Sequence, residues 1–272
     1  MLPYFRNYAF VAYVLGVAVP VGLITASSWV FGFYVVYTLP GLIAAIVLLA
    51  ACLLASKRIV TRMADRKADE YLSLYNDGCD PQAFLDAARN VAAAIRPPYE
   101  ENGSWFLSFY ALALDDAGQR EEAARIGQAM LSSAQMARDP QQRAGLLVNI
   151  EPLIERLFGV DAALEVIAQA EEAVAASDSP DDGPRRDFLR SERALMEAIR
   201  NGDAATLTAR FSAVRTNAAY PMRVRVSDAL MEASVHKSRG DAAAERACLE
   251  FVVANGNKLP AVGLAQERLA AL

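Results

Sequence analysis

Residues 110–123 read Tyr-Ala-Leu-Ala-Leu-Asp-Asp-Ala-Gly-Gln-Arg-Glu-Glu-Ala, which is a helical pattern, a short turn and the start of a second helical pattern. A glycine just past the end of a helix accepts the left-handed backbone conformation, so Gly118 marks the turn. Residues of the Asp or Ser type near such a glycine cap the helix that follows. The stretch therefore predicts a helix-turn-helix unit.

The same turn recurs along the chain at a nearly constant interval. Five turn glycines are separated by 40, 41, 43 and 38 residues: Gly78, Gly118, Gly159, Gly202 and Gly240. The segments between them are alanine-rich and helical in pattern, and alternating β-branched runs typical of strands are nearly absent. Such a period indicates a repeated helix-turn-helix unit and predicts an all-α fold.

Each unit also offers larger side chains for a core. Residues further along the second helix of each unit would fill the layer between helix pairs: Phe84, Ile126, Ile167, Phe211 and Leu249. Four aromatic residues form a cluster at helical spacing: Trp105, Phe106, Phe109 and Tyr110. Aromatic side chains dominate core burial, so we expect this cluster to pack inside a repeat, with a ligand-binding groove as the alternative.

At these residues the sequence resembles the tetratricopeptide repeat (TPR) family. Ala111, Gly118 and Ala123 are spaced like the small residues of that family, and Ala233 with Gly240 repeats part of the pattern. The period departs from the family's 34 residues and is nearer 40. The resemblance covers residues 80–272 and implies a TPR-like α-solenoid whose concave face binds a partner polypeptide. It implies no particular ligand and no particular binding residue.

The N-terminal part of the chain has a different composition. No Lys, Arg, Asp or Glu occurs in the 50 residues from Asn7 to Ser56. A helix needs roughly 20 apolar residues to cross a ~30 Å hydrocarbon core, so this segment has room for two crossings and a short connector. We predict a transmembrane hairpin over residues 1–56, with spans at about 8–26 and 39–55.

Five basic residues follow the second predicted span: Lys57, Arg58, Arg62, Arg66 and Lys67. The connector between the spans has no cation, so the positive-inside rule places both termini in the cytoplasm. We expect residues 57–79 to form a basic juxtamembrane helix near anionic lipid headgroups. A signal peptide cleaved in the small residues after Ile24 is the alternative, and residues 57–272 lie on the same side either way.

The remainder of the chain is acidic. The formal net charge of -5 combines +5 in residues 1–67 with -10 in residues 68–272. Nucleic-acid binding needs a basic face that neutralises phosphates, so we expect no nucleic-acid partner. Four arginines nevertheless lie close together in sequence: Arg185, Arg186, Arg190 and Arg193. If several face one groove they would bind an acidic peptide, and salt bridges to neighbouring acids are the alternative.

The sequence contains no recognisable catalytic, cofactor or metal site. Cys52, Cys79 and Cys248 are too few and too scattered for a disulfide framework or a set of metal ligands, so we expect three reduced thiols. His236 is the single histidine, and we expect it to pack or face solvent near a helix end rather than to act in catalysis. We therefore predict a protein that is not an enzyme and needs no cofactor.

These observations give two hypotheses for function. The first is an integral membrane protein with two spans that presents a cytoplasmic TPR-like domain to a protein or peptide partner. The second is an accessory subunit of a membrane enzyme or transporter, whose hairpin packs against the spans of that partner. The spans themselves lack the buried acids and bases from which ion pathways are built, so transport by this chain alone is not expected.

Overall fold

The computed structural model describes residues 10–11, 14–31, 39–177 and 182–272. The chain divides into two compact units, Met1–Glu70 and Tyr71–Leu272. Throughout the described residues the regular structure is helical, which confirms the all-α prediction.

In the first unit, a π-helical turn at Val14–Ala18 leads into helix α1 (Val19–Phe31), and helix α2 (Leu39–Asn76) begins after the connector. Gly16 lies against the middle of α2, because a Cβ atom at this position would be 2.7 Å from Ser56 Oγ. A small residue at this point therefore lets the two segments approach closely. Residues 32–38 of the predicted connector lie outside the described residues.

In the part of the chain that the structure describes, no helix combines the length and the apolar character needed to cross a membrane. The predicted spans lie partly outside that part, at residues 8, 9, 12 and 13 and at the side chains of residues 39–42 and 44.

Among its described residues, the second unit contains the end of α2 and ten further helices. Their bounds are α3 (Pro81–Ala94), α4 (Glu101–Asp116), α5 (Arg120–Met136), α6 (Pro140–Phe158), α7 (Val160–Ala175), α8 (Asp182–Asn201), α9 (Ala204–Thr216), α10 (Met222–Ser238), α11 (Ala242–Asn255) and α12 (Pro260–Ala270). From α3 onward each helix packs on the next one in sequence, and α4 also contacts α6, as α10 contacts α12. This sequential packing is consistent with a helical repeat.

The recurring glycines lie in the turns that join successive helices. Four of them have positive φ angles between 65° and 91°, as the sequence predicts: Gly118, Gly159, Gly202 and Gly240. At the first turn the prediction for Gly78 is wrong, because Cys79 takes the left-handed conformation there, with φ of 50°. Gly78 is needed for a different reason, since a Cβ atom at this position would be 2.6 Å from the carbonyl oxygen of Leu74.

Aspartates cap the helices that follow several turns. Asp80 accepts a hydrogen bond from Ala83 N–H, Asp203 from Thr206 N–H, and Asp241 from Ala244 N–H. Asp139 caps α6, whose first residue is a proline. Such caps satisfy backbone N–H groups that have no partner inside the helix, so they fix where each helix begins.

The predicted core residues are mostly buried. Phe84, Ile167, Phe211 and Leu249 are each no more than 3% exposed, whereas Ile126 is half-buried. The residues of the aromatic cluster also differ in burial. Phe106 and Tyr110 lie in the core, with Phe106 packed edge-on against Phe84, while Trp105 is 39% exposed. The expectation that the whole cluster packs inside a repeat is therefore correct for only part of it.

The C-terminal part of this unit contacts its N-terminal part. Asn257 Nδ2 donates to the Gly78 carbonyl at 2.7 Å, and Lys258 N–H donates to the Cys79 carbonyl at 3.2 Å. The Lys258 ammonium also pairs with the Asp80 carboxylate at 2.5 Å. These contacts link the loop before α12 to the turn before α3, about 180 residues earlier, so the helical array closes on itself.

Candidate functional site

The even-numbered helices from α4 to α12 each contribute to the wall of one cleft, with a cavity volume of about 320 Å³. A pocket of this size falls at the lower end of the range for sites that bind small molecules or a few side chains. One wall is apolar and includes Leu195, Ile199, Phe211, Val226, Met231 and Leu264. The lining also includes five charged residues: Asp116, Glu155, Arg156, Arg223 and Asp228.

Both arginines of the cleft are already engaged by the protein. Arg156 donates to Asp115 at 2.7 Å and to Asp116, which also accepts a 2.6 Å hydrogen bond from the Tyr75 hydroxyl. Arg223 lies over the Tyr75 ring, 4.7 Å from its centroid, and its Nε donates to Asn76 Oδ1. These contacts leave little free positive charge in the cleft.

Two carboxylates of the lining, Glu155 and Asp228, have no salt-bridge partner among the described residues. Burial raises the pKa of Asp228 to about 7, with the carboxylates of Glu192 and Glu155 adding to the rise and Arg210 opposing it. Burial also raises the pKa of Glu155. The cleft therefore holds two acids whose ionised forms are poorly stabilised by the protein itself.

Two further acids neighbour this pair. Glu151, one turn before Glu155 on α6, is 1% exposed, and its Oε1 has no hydrogen-bond partner among the described residues. Burial, together with Glu192 and Glu155, raises the pKa of Glu151 to about 8. Glu192 has a raised pKa through burial, and its carboxylate lies 3.5 Å from Arg210. The four acids exceed the positive charge available to them.

The arginines singled out in the sequence pair with acids of the same chain. Arg193 holds Glu171 through two hydrogen bonds, of 2.5 and 3.0 Å, and Arg185 pairs with Glu101 at 2.5 Å. Arg186 lies 3.9 Å from Asp182, and Arg190 lies 3.2 Å from Asp187. None of these four arginines lines the cleft.

The predicted basic collar lies on α2. Lys57, Arg58, Arg62 and Arg66 are exposed. Lys67 is half-buried and pairs with Glu70 at 2.5 Å. The collar therefore presents most of its positive charge to the surroundings of the first unit.

A second cluster of polar side chains lies outside the cleft. Glu232 and His236 are one turn apart on α10, and Cys248 on α11 faces them, so that one ligand atom from each lies within 4.8 Å of the other two. Burial raises the pKa of the Cys248 thiol to about 11, and the Glu232 carboxylate adds to the rise. Cys52, Cys79 and Cys248 are all free thiols, as predicted.

Sequence reasoning missed both groups of residues. The acids that line the cleft come from α4, α6 and α10, and the neighbouring Glu192 comes from α8, so no local spacing connects them. In the second cluster, Glu232 and His236 follow the i, i+4 spacing that places two side chains on one helix face, and this signal was available. The position of Cys248 depends on how α11 packs against α10.

Comparison with known proteins found no matching family model, no matching curated protein and no matching solved structure.

Proposed function

We propose that this chain is a membrane-anchored interaction protein whose helical domain binds a partner polypeptide in its central cleft. The observation that carries this proposal is the cleft itself, in which Glu155 and Asp228 form no salt bridge among the described residues and line the same cavity as a set of apolar side chains. A lysine or arginine side chain of a partner, flanked by an apolar residue, matches both surfaces.

The contacts that the charged side chains already make favour a basic ligand. Arg185, Arg186, Arg190 and Arg193 are paired with acids of the same chain, so an acidic peptide would have to break those salt bridges. A basic side chain entering the cleft breaks none, because Glu155 and Asp228 form no salt bridge among the described residues and feel only the more distant charges of Arg156, Arg210 and Arg223. We therefore favour a basic partner segment over an acidic one.

The surface of the first unit supports the proposed membrane anchor. Many large apolar side chains are exposed there, including Val21, Leu23, Ile43, Ile46, Val47 and Leu54 at 50–66%. Apolar patches of this kind are rare on surfaces that face only water, and they suit lipid tails or the spans of another protein. The exposed collar from Lys57 to Arg66 would then contact anionic headgroups, with both termini in the cytoplasm.

The TPR-like character of the helical domain supports the same function. Turns at a nearly constant spacing join helices that pack in sequence, and the even-numbered helices, together with Phe211 of α9, line one cleft. In a solenoid of this kind, the inner face is the surface that commonly receives a ligand.

Affinity purification from solubilised membranes tests the role of the cleft. The double variant Glu155→Gln, Asp228→Asn removes both unpaired charges, and the matched variant Asp161→Asn, Glu165→Gln removes two exposed acids of α7. We expect a partner to be recovered with the wild type and the α7 variant and lost with the cleft variant. Equal recovery with both variants contradicts the proposal. Unfolding is a poor explanation for a loss, because neutralising two half-buried acids whose pKa values are raised in the folded protein should not destabilise the fold.

A second candidate function is an accessory subunit of a membrane enzyme or transporter, favoured by the same exposed apolar side chains of the first unit. Replacing residues 1–56 with an unrelated two-span anchor distinguishes the two functions. The interaction protein keeps its partner after this exchange, whereas the accessory subunit loses it.

A further inference from the structure

We propose that Glu232, His236 and Cys248 form a binding site for a divalent transition-metal ion of the Zn²⁺ class. The site is separate from the proposed partner-binding cleft, since none of the three residues lines it. Glu232 and His236 come from one face of α10, and Cys248 comes from the facing side of α11.

The three side chains supply the donor atoms that Zn²⁺ takes in proteins, namely an imidazole nitrogen, a thiolate sulfur and a carboxylate oxygen. Bond lengths of about 2.0–2.3 Å in a tetrahedral site place neighbouring donor atoms roughly 3.3–3.6 Å apart. Glu232 Oε1 lies 3.7 Å from His236 Nε2, and all three donor atoms lie within 4.8 Å of one another. Small side-chain movements therefore complete a three-ligand set.

The surroundings of His236 favour the same assignment. Its Nδ1 atom is buried and has no hydrogen-bond partner among the described residues, while Asp241 Oδ2 lies 3.7 Å away. Asp241 is held in place by its other oxygen, which caps α11. When Nε2 binds a metal ion, Nδ1 carries the ring proton, and a carboxylate at this position accepts it and fixes the orientation of the ring.

Arg215 fixes the carboxylate of Glu232. Its Nε donates to Oε2 at 2.6 Å, and its Nη2 makes a longer contact of 3.3 Å with Oε1. The strong bond is thus to the oxygen that faces away from His236, and Oε1 is the oxygen nearer the proposed ion. Burial of Glu232 and Cys248, each 2% exposed, keeps competing water away from these two ligands.

Metal binding at this site releases one proton. The thiol of Cys248 loses its proton to the solvent and forms a sulfur–metal bond, while the imidazole of His236 binds in its neutral form. The ion adds two positive charges and the lost proton removes one, so the cluster gains a single positive charge. With the ion bound, the Cys248 thiolate and the Glu232 carboxylate balance its two positive charges. The Asp241 carboxylate then balances the charge of the Arg215 guanidinium.

Cobalt titration of the full-length chain tests the assignment. Co²⁺ replaces Zn²⁺ in such sites and reports a sulfur ligand through a thiolate-to-cobalt charge-transfer band in the near ultraviolet. We expect saturation at one equivalent for the chelator-treated wild type, with the band removed by one equivalent of Zn²⁺. Cys248→Ser should lose the band, and Cys79→Ser, which changes another buried thiol, should keep it.

Asp241→Asn provides a second test that does not depend on removing a ligand. Asparagine still caps α11, so the fold is retained, but it lacks the charge that supports the His236 imidazole. We expect Zn²⁺ affinity to fall by about 10- to 100-fold, measured by competition with a chromophoric chelator. The assignment is overturned by a wild type that shows no saturable charge-transfer band, or by a band that persists in Cys248→Ser.

Discussion

Replacing Glu151 by glutamine should stabilise the protein, and by an amount that grows with pH. Glu151 is 1% exposed, and burial together with Glu192 and Glu155 raises its pKa from 4.5 to about 8. The native state therefore holds the proton more tightly than the unfolded chain. Between these two values only the unfolded chain gains from ionisation, so the free energy of unfolding of the wild type falls as pH rises from about 4.5 to about 8.

The size of the effect follows from the same pKa difference. A difference of one between the pKa values of the native and unfolded states corresponds to about 1.4 kcal/mol, so at pH 6 the buried acid lowers the free energy of unfolding by about 2 kcal/mol. Above pH 8, where both states are ionised, the loss reaches an upper limit of about 5 kcal/mol. Glu151→Gln removes this loss with almost no change in side-chain volume, and it should have little effect at pH 4.

Urea unfolding of the full-length chain at pH 4, 6 and 8, followed by far-ultraviolet circular dichroism, measures the free energy of unfolding at each pH. Glu165→Gln on α7 is the matched control, because that glutamate is exposed, and it should change the free energy of unfolding by less than about 0.5 kcal/mol at each pH. The reasoning is refuted if Glu151→Gln shifts stability equally at all three pH values, or if it destabilises the protein at pH 8.

Three further predictions concern backbone conformation, capping and the cleft. Gly202→Ala should lower the free energy of unfolding by about 1 kcal/mol, because φ at this residue is 65°. Gly263→Ala should raise it by about 0.5–1 kcal/mol, because Gly263 is exposed on α12 with open space around it. Urea unfolding midpoints measure both changes. Asp80→Ala should lower it by about 1–2 kcal/mol through loss of the α3 cap and the Lys258 pair, and Asp80→Asn should recover the part due to the cap. Binding of a basic partner should weaken by up to about tenfold per pH unit below pH 7 as Asp228 is protonated, which titration of the purified complex between pH 5 and 8 would measure; a pH-independent affinity contradicts the role given to this carboxylate.

The local features of the fold could be predicted from the sequence because they depend on neighbouring residues. Gly118 and Gly202 mark turns through their own backbone freedom, and Asp80 and Asp139 cap helices three or fewer residues away. Gly78 is the instructive exception. The turn there depends on how closely the chain passes the Leu74 carbonyl, and that distance is not visible in a residue pattern.

The candidate sites could not be predicted in the same way, because they depend on contacts between distant segments. Asp228 on α10 lies near Glu155 on α6 and Glu192 on α8 through the packing of helices that are far apart in sequence. The arginine-rich segment was visible in sequence, but its partners were not. Arg185 and Arg193 pair with Glu101 and Glu171, which lie on other helices.

The central claim is that the cleft of the helical domain receives a basic segment of a partner polypeptide. A photoreactive benzoylphenylalanine at Leu264, which lines the cleft and is 52% exposed, tests it directly, with the same residue at Met136, 64% exposed and outside the cleft, as the control. We predict that irradiation of intact membranes crosslinks a partner from position 264 but not from position 136, and that the crosslinked peptide contains a lysine or arginine. Equal crosslinking from both positions, or a captured segment without a basic residue, would contradict the claim.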